Sequence, residues 1–297
     1  LDEGIHYFLQ LLVSGVAVGS LYALVAIGFV LIIKATDILN FAHGEVIMVS
    51  AFVCYFLMTS LHMNFIVAFL ITITFAFVFG LLVERVVLRP MIGEPMFAIV
   101  MITIGLSIFL RSASGIVFGH DNKVFPSPFS KETINFYGLV LSQVHIWVLV
   151  ISSTLVIVFF LFFKFSKIGL SMRGVANDQF ASMLVGISVK KVFSITWGLS
   201  FLTAAVAGIF LSNVMVLNIG LCFVALKAFP AIVLGGLDSI PGAIIGGVTI
   251  GVLEMLAGGY LEAKLPGIKE LVPFIVLFLV LMIRPYGLFG KEEVERV

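Results

Sequence analysis

Apolar positions run along this chain in blocks of about 20 residues, the length one helix needs to cross a bilayer. Such blocks cover residues 5–33, 38–60, 64–84, 95–118, 144–163, 190–212, 221–238, 241–260 and 268–284, about nine in all. The first is long for one crossing and is expected to tilt or to extend past the bilayer. Between residues 221 and 260 the pattern is interrupted by LGGLDSIPGAIIGG, Leu234–Gly247, whose breakers point to broken or re-entrant segments. The fold class this predicts is all-α, a polytopic transmembrane helical bundle forming a single domain over 1–297.

Basic residues between the blocks set an orientation. Lys34, Arg85, Arg89, Lys164, Lys167, Arg173, Lys190, Lys191, Arg284, Lys291 and Arg296 fall on one side. On the other side Lys123, Lys131, Lys264 and Lys269 share loops with Asp121, Glu132, Glu262 and Glu270. The asymmetry predicts an outside N-terminus and a cytoplasmic C-terminus. The outside loop 119–138 is polar and turn-rich, a candidate for a small cap. The opening LDEGIHYFLQ has no basic n-region, so no cleavable signal is expected and the first span directs insertion.

Composition sharpens the class. Hydrophobic residues make up 61% and charged residues 11%, and soluble domains carry roughly 25% charged residues. With 28 Gly, close approach of helix backbones is expected. A net charge of +1 gives no sign of a nucleic-acid surface. Cys54 and Cys222 lie in apolar runs without metal-ligand spacing. The chain shows no P-loop, no HExxH and no Ser-His-Asp arrangement, so it is not expected to hydrolyse ATP itself.

Three segments carry the candidate chemistry. In LNFAHGEVIMVSA, Leu39–Ala51, the polar residues Asn40, His43 and Glu45 surround Gly44 at the start of a span. One reading is a broken helix start whose polar groups line a solute path. The other is an ordinary interfacial N-terminus, capped by Asn40 and with Glu45 in the favourable end of the helix dipole. In LKAFPAIVLGGLDSIPGAIIGG, Leu226–Gly247, the candidate path residues are Phe229, Pro230, Gly235 and Gly236, and Lys227 is expected to snorkel to the interface. LNFAHG and LKAFPA resemble each other faintly, in spans of opposite direction, as an inverted repeat would require. Arg111 and Glu254 are intramembrane charges that either line the pathway or pair with neighbours.

The third segment is the charged island Lys164–Lys191. Val175, Ala176, Phe180, Met183, Leu184 and Ile187 recur close to a helical period, bracketed by Gly174 and Gly186. A short helix there would either offer Phe180 or Met183 to a groove of a soluble subunit or lie on lipid.

GVAVGSLYALVAIGFVLI, LNFAHGEVIMVSAF, ERVVLRPM, MRGVANDQFASMLVGISVKKV and LKAFPAIVLGGLDSIPGAIIGG occur in order along nearly the whole chain. Together they resemble the permease subunits of branched-chain amino acid ABC importers, the high-affinity Liv type in particular. The resemblance implies a non-catalytic subunit of the bacterial inner membrane. Its partners would be a second permease subunit (LivM-like), two cytoplasmic ATPase subunits, a periplasmic substrate-binding protein and membrane lipid. No cofactor would be bound by this chain, and ATP would be used by the ATPases. It further implies that the 164–191 loop docks the ATPase through Arg173, Asp178, Phe180, Ala181, Met183 and Gly186. Ala181 and Gly186 match the importer signature Glu-Ala-Ala-x-x-x-Gly, whereas Phe180 stands at its acidic position and Ser182 at its second Ala. A urea-type permease of the same family is the alternative. A proton-coupled secondary transporter is another, with Glu45, Glu254 and His43 as its relay.

Overall fold

The computed structural model describes residues 2–127, 133–136 and 139–290. The expectations for Lys131, Glu132, Lys291, Arg296 and part of the 119–138 loop lie outside them. The helices are α1 (Asp2–Thr36), α2 (His43–Thr59), α3 (Phe65–Val83), α4 (Met96–Phe118), α5 (Gln143–Phe165), α6 (Lys167–Asn177), α7 (Gln179–Leu184), α8 (Val189–Val214), α9 (Val224–Gly235), α10 (Ile240–Tyr260) and α11 (Ile268–Ile283). A π turn at Glu84–Leu88 and a 3-10 turn at Arg89–Met91 extend α3, and another 3-10 turn, Ile219–Phe223, leads into α9. Strands β1 (Thr133–Phe136) and β2 (Leu139–Ser142) pair antiparallel ahead of α5. Each apolar block meets a helix. Among the described residues, six helices are long and apolar enough to cross a membrane, and α2 and the 219–235 stretch are shorter.

The breakers of Leu234–Gly247 act in a narrower zone than their number implies. Pro230 lies inside α9, and Gly246 and Gly247 lie inside α10. The break falls at residues 236–239. Gly236 takes φ +105, open to glycine, and Ser239 caps α10 by accepting from the Gly242 N–H at 3.1 Å. Pro241 sits in the first turn of α10, where its missing N–H costs nothing. The segment 226–231 is therefore regular helix, unlike the non-helical 39–42. The irregular stretch of this half lies earlier, at 219–223.

The chain forms two compact units, one of Leu1–Val30, Phe129–Ile157 and Leu226–Val297, the other of Leu31–Pro128 and Val158–Ala225. In the first, α1 crosses α10 on glycine. A Cβ at Gly15 would stand 2.7 Å from the Val252 Cα, one at Gly19 2.7 Å from the Val248 Cα, and one at Gly247 2.5 Å from the Ala23 Cα. A Cβ at Gly251 would strike the backbone of Gly19. Small residues four apart on both helices let backbone meet backbone, which drives association where lipid offers no hydrophobic gain.

Beside this crossing the same unit holds a buried ionic cluster. Lys227 Nζ donates to Glu254 Oε1 at 3.1 Å and pairs also with Glu270, and the Tyr22 hydroxyl donates to Glu254 Oε2 at 2.7 Å. Lys227 is thus held between the buried Glu254 and the exposed Glu270, with 13% of its side chain exposed. The reason is proximity: α10 and α11 bring acceptors to it, and an ion pair satisfies the ammonium at depth. Replacing Glu254 with Ala leaves Tyr22 without its acceptor and weakens the hold on Lys227. Breaking a buried pair costs about 3–5 kcal/mol, and the remaining Glu270 places the loss near 3 kcal/mol. Thermal unfolding of detergent-solubilised protein should show a marked drop for Glu254→Ala and a smaller one for Glu254→Gln. Equal midpoints for wild type and Glu254→Ala would contradict this.

The second unit packs α2 and α3 on α8. A Cβ at Gly80 would stand 2.5 Å from the Trp197 carbonyl oxygen, and one at Gly208 would strike that of Ile47. Trp197, Phe201, Phe210 and Phe52 are fully buried in it, and Phe52 stacks on Phe118 with centroids 4.9 Å apart. The start of α2 is built on this core, and the α6–α7 elbow leads into α8.

Candidate functional site

The first site surrounds the start of α2. Asn40 Oδ1 accepts the Ala42 N–H at 3.0 Å, and the His43 N–H returns to the Asn40 carbonyl at 3.3 Å. Asn40 therefore shapes the turn ahead of the helix. It does not cap it: Ala42 occupies the cap position and makes no side-chain bond there. Gly44 lets the next turn press on residues 219–225, because a Cβ would strike the Cys222 carbonyl oxygen and stand 3.0 Å from the Ala225 Cβ.

Glu45 then meets a cation rather than only the helix dipole. Arg111 Nη2 donates to Glu45 Oε1 at 2.5 Å, and the guanidinium lies over the Phe223 ring, 4.9 Å from its centroid. The Phe41 N–H donates to Thr103 Oγ1 at 3.4 Å, and His43 Nδ1 lies 3.4 Å from Ser200 Oγ. Thr103, Ser107 and Arg111 stand four apart on α4, so they share one face of that helix. Asn40, His43, Gly44 and Glu45 are brought together here with Arg111, Phe223, Thr103 and Ser200. The period-four polar repeat on α4 was readable from the sequence; nothing there singled out Phe223. Phe229, Pro230, Gly235 and Gly236 belong to the first unit, around the α9–α10 turn, where Gly235 and Gly242 pack backbone on backbone.

The second site is the elbow of α6 and α7. The island holds two helices rather than one over Met172–Val185, because Asp178 takes extended backbone (φ −158, ψ 110) and restarts the chain as the cap of α7. Its carboxylate accepts the Ala181 N–H at 2.9 Å, and Ser166 caps α6 by accepting the Gly169 N–H at 2.9 Å. Gly174 lies inside α6. Arg173 donates to the carbonyl oxygens of Phe163 at 2.5 Å and Lys164 at 3.2 Å. A cation there satisfies orphan acceptors at the end of α5 and complements its dipole. Arg173 and Asp178 are thus engaged in building the elbow.

The elbow exposes polar residues along α6 and at Asn177–Gln179, and an apolar set on α7 and just after it. Met172, Val175 and Ser182 are buried, whereas Phe180 (69% exposed), Met183, Leu184 and Val185 face away. Gly186 closes α7 at φ +85: its N–H reaches the Met183 carbonyl at 3.0 Å and the Ile187 N–H that of Ser182 at 2.9 Å. That is the paired C-terminal motif that selects glycine. A Cβ at Gly186 would meet nothing within 4 Å, so the cost of Gly186→Ala is the left-handed backbone alone, about 1–2 kcal/mol. Thermal unfolding of detergent-solubilised Gly186→Ala should show a small drop in midpoint, and a midpoint equal to wild type would contradict the left-handed turn.

A third arrangement was visible in the sequence only as a motif. In ERVVLRPM, Glu84 accepts from Arg89 Nη2 at 2.8 Å and Nε at 3.2 Å, and Ser194 Oγ on α8 lies 2.5 Å from Glu84 Oε2. The π turn rotates Glu84 toward α8 and ties the end of α3 to the start of α8. Among the described residues no group of three or more His, Cys, Asp or Glu is placed to hold a metal ion.

The family model for the permease component of the branched-chain amino acid transport system matches residues 11–281. The chain belongs to this permease family. The high-affinity branched-chain amino acid transport system permease LivH of Salmonella typhimurium is 35% identical over 100% of both chains. BraD of Pseudomonas aeruginosa, a permease of the same description, is 35% identical over 99% of each. A probable LivH of Methanocaldococcus jannaschii is 25% identical over 95% of this chain and 93% of its own. No solved structure matches. This permease is accordingly a multi-pass membrane protein and one component of a transport system. The matched stretch takes in the start of α2, the Glu84–Arg89 turn and the α6–α7 elbow.

Proposed function

We propose that the chain is the membrane-spanning, non-catalytic permease of an ATP-driven importer that moves branched-chain amino acids, or related small amino acids, into the cytoplasm. The observation that carries the reading is full-length similarity to LivH and BraD, joined to an elbow that exposes Phe180, Met183, Leu184 and Val185. A periplasmic binding protein would deliver substrate, a second permease would complete the path, and two cytoplasmic ATPases would hydrolyse ATP. The elbow would seat on an ATPase, so that closure of the ATPase pair moves α6 and α7 and, through Arg173, the end of α5. The chain would lie in the bacterial inner membrane with its N-terminus periplasmic and its C-terminus cytoplasmic, as the distribution of Lys and Arg favours.

A proton-coupled transporter is disfavoured, because the carboxylates its relay would need, Glu45 and Glu254, are each ion-paired. The test is reconstitution of the chain in vesicles with its partner permease, ATPases and binding protein. ATP-dependent uptake of radiolabelled leucine is expected. Uptake driven by a proton gradient in the chain alone, or uptake of urea in preference to leucine, would overturn the assignment.

A further inference from the structure

Arg111 lies about 10 Å from the end of α4, at 1.5 Å per residue, inside the hydrocarbon thickness. Its partner Glu45 is 3% exposed, yet 38% of the Arg111 side chain is open. A guanidinium open to lipid within the hydrocarbon is costly, which favours an open side that borders water, solute or protein. Guanidinium carries five donors. Nη2 is engaged by Glu45, and among the described residues the buried Nε finds no acceptor. Asn40, fully buried at the turn before the same helix, has its Oδ1 engaged and its Nδ2 likewise without an acceptor. Both orphan groups are donors, and a buried donor left unmet is destabilising. Phe223, half-exposed, offers an apolar face on the other side of the guanidinium.

A partly open guanidinium held over a half-exposed aromatic ring matches one kind of ligand, a small carboxylate with an apolar side chain. We infer that Arg111 and Phe223 form a transit subsite for the substrate, Arg111 receiving its carboxylate and Phe223 its aliphatic side chain. This rests on the transport reading above. Glu45 holds the guanidinium in place and partly neutralises it, which weakens the grip on a carboxylate. A transit site needs that weakness, since binding must be strong enough to admit the substrate and weak enough to release it.

The experiment uses the complete reconstituted complex and reads leucine uptake, ATP hydrolysis stimulated by the binding protein, and subunit stoichiometry. Arg111→Gln is expected to lower uptake at least tenfold with stimulated hydrolysis within about twofold of wild type. Arg111→Lys, which keeps the charge, should retain more uptake than Arg111→Gln. Phe223→Ala, at an exposed ring with little to lose in folding, should reduce uptake of leucine more than that of alanine. Arg111→Gln uptake within twofold of wild type, or equal effects of Phe223→Ala on both amino acids, would overturn the assignment. So would loss of subunit assembly in both arginine variants, which would place this face in a contact between permeases. Absence of ATP-dependent uptake in the wild-type complex would instead sink the transport reading itself.

Discussion

Replacing Gly251 with leucine should leave little folded protein in the membrane. At this point α10 meets α1 backbone to backbone: an added Cβ would strike Gly19 and stand 2.7 Å from the Gly15 carbonyl oxygen. Neither obstacle is the end of a flexible side chain, so the helices must separate. Separation removes the close packing along Gly15, Gly19, Ala23, Gly247 and Gly251, and it displaces Glu254, one turn on, from Tyr22 and Lys227. Overpacking usually costs about 1–3 kcal/mol. Loss of a shared crossing puts this case at or above the top of that range, against a total stability of about 5–15 kcal/mol. Size-exclusion profiles of solubilised protein would show the outcome. Gly105→Leu on α4 is the control, since a Cβ there meets nothing within 4 Å. A monodisperse Gly251→Leu protein with a wild-type melting temperature would refute the crossing.

The second large effect is expected at the elbow. Changing Leu184 to Asp, alone and with Phe180→Asp, should reduce ATP-dependent uptake about a hundredfold while expression and melting temperature stay near wild type. Both side chains point away from their own unit, so the fold loses little. At a docking surface the arithmetic differs. Burying one Leu or Phe contributes about 1.5–3 kcal/mol, and a carboxylate in its place adds a desolvation penalty. Every 1.4 kcal/mol is a factor of ten in binding. Co-purification of the ATPase should fail, and its hydrolysis should no longer respond to the binding protein. Uptake within twofold of wild type would show that α7 does not dock. An elbow that merely rests on lipid would show the opposite pattern, with impaired insertion and intact coupling.

Much of the fold could be read from the blocks of apolar residues, because a bilayer demands one length of helix and the chain has to supply it. What could not be read were the partners of single residues. The ion pairs of Lys227 were not legible because its carboxylates lie 27 and 43 residues away along the chain, and only the packing of α10 and α11 brings them near. Gly246 and Gly247 looked like breakers, but inside a helix glycine also serves as a place of close approach, and sequence does not separate the two uses. At the α2 site, Asn40, His43, Gly44 and Glu45 announce themselves by polarity in an apolar run. Arg111 was visible as a charge without a mate, and Phe223 is one of 30 phenylalanines. For the elbow, periodicity showed an exposed apolar face, while the break at Asp178 stayed hidden because its capping role depends on backbone conformation.

The glycine crossing also sets an order of events during synthesis. Gly15 and Gly19 leave the ribosome first, and their counterparts on α10 follow roughly 230 residues later. At about 5–20 residues per second, α1 waits on the order of 10–50 seconds for α10. During that interval its glycine face lies against lipid or against whatever helix is at hand. A stripe that accepts any closely approaching backbone is open to mispairing for as long as it waits. Slowing elongation between α1 and α10 should therefore raise the share of misassembled chains more than slowing it after α10.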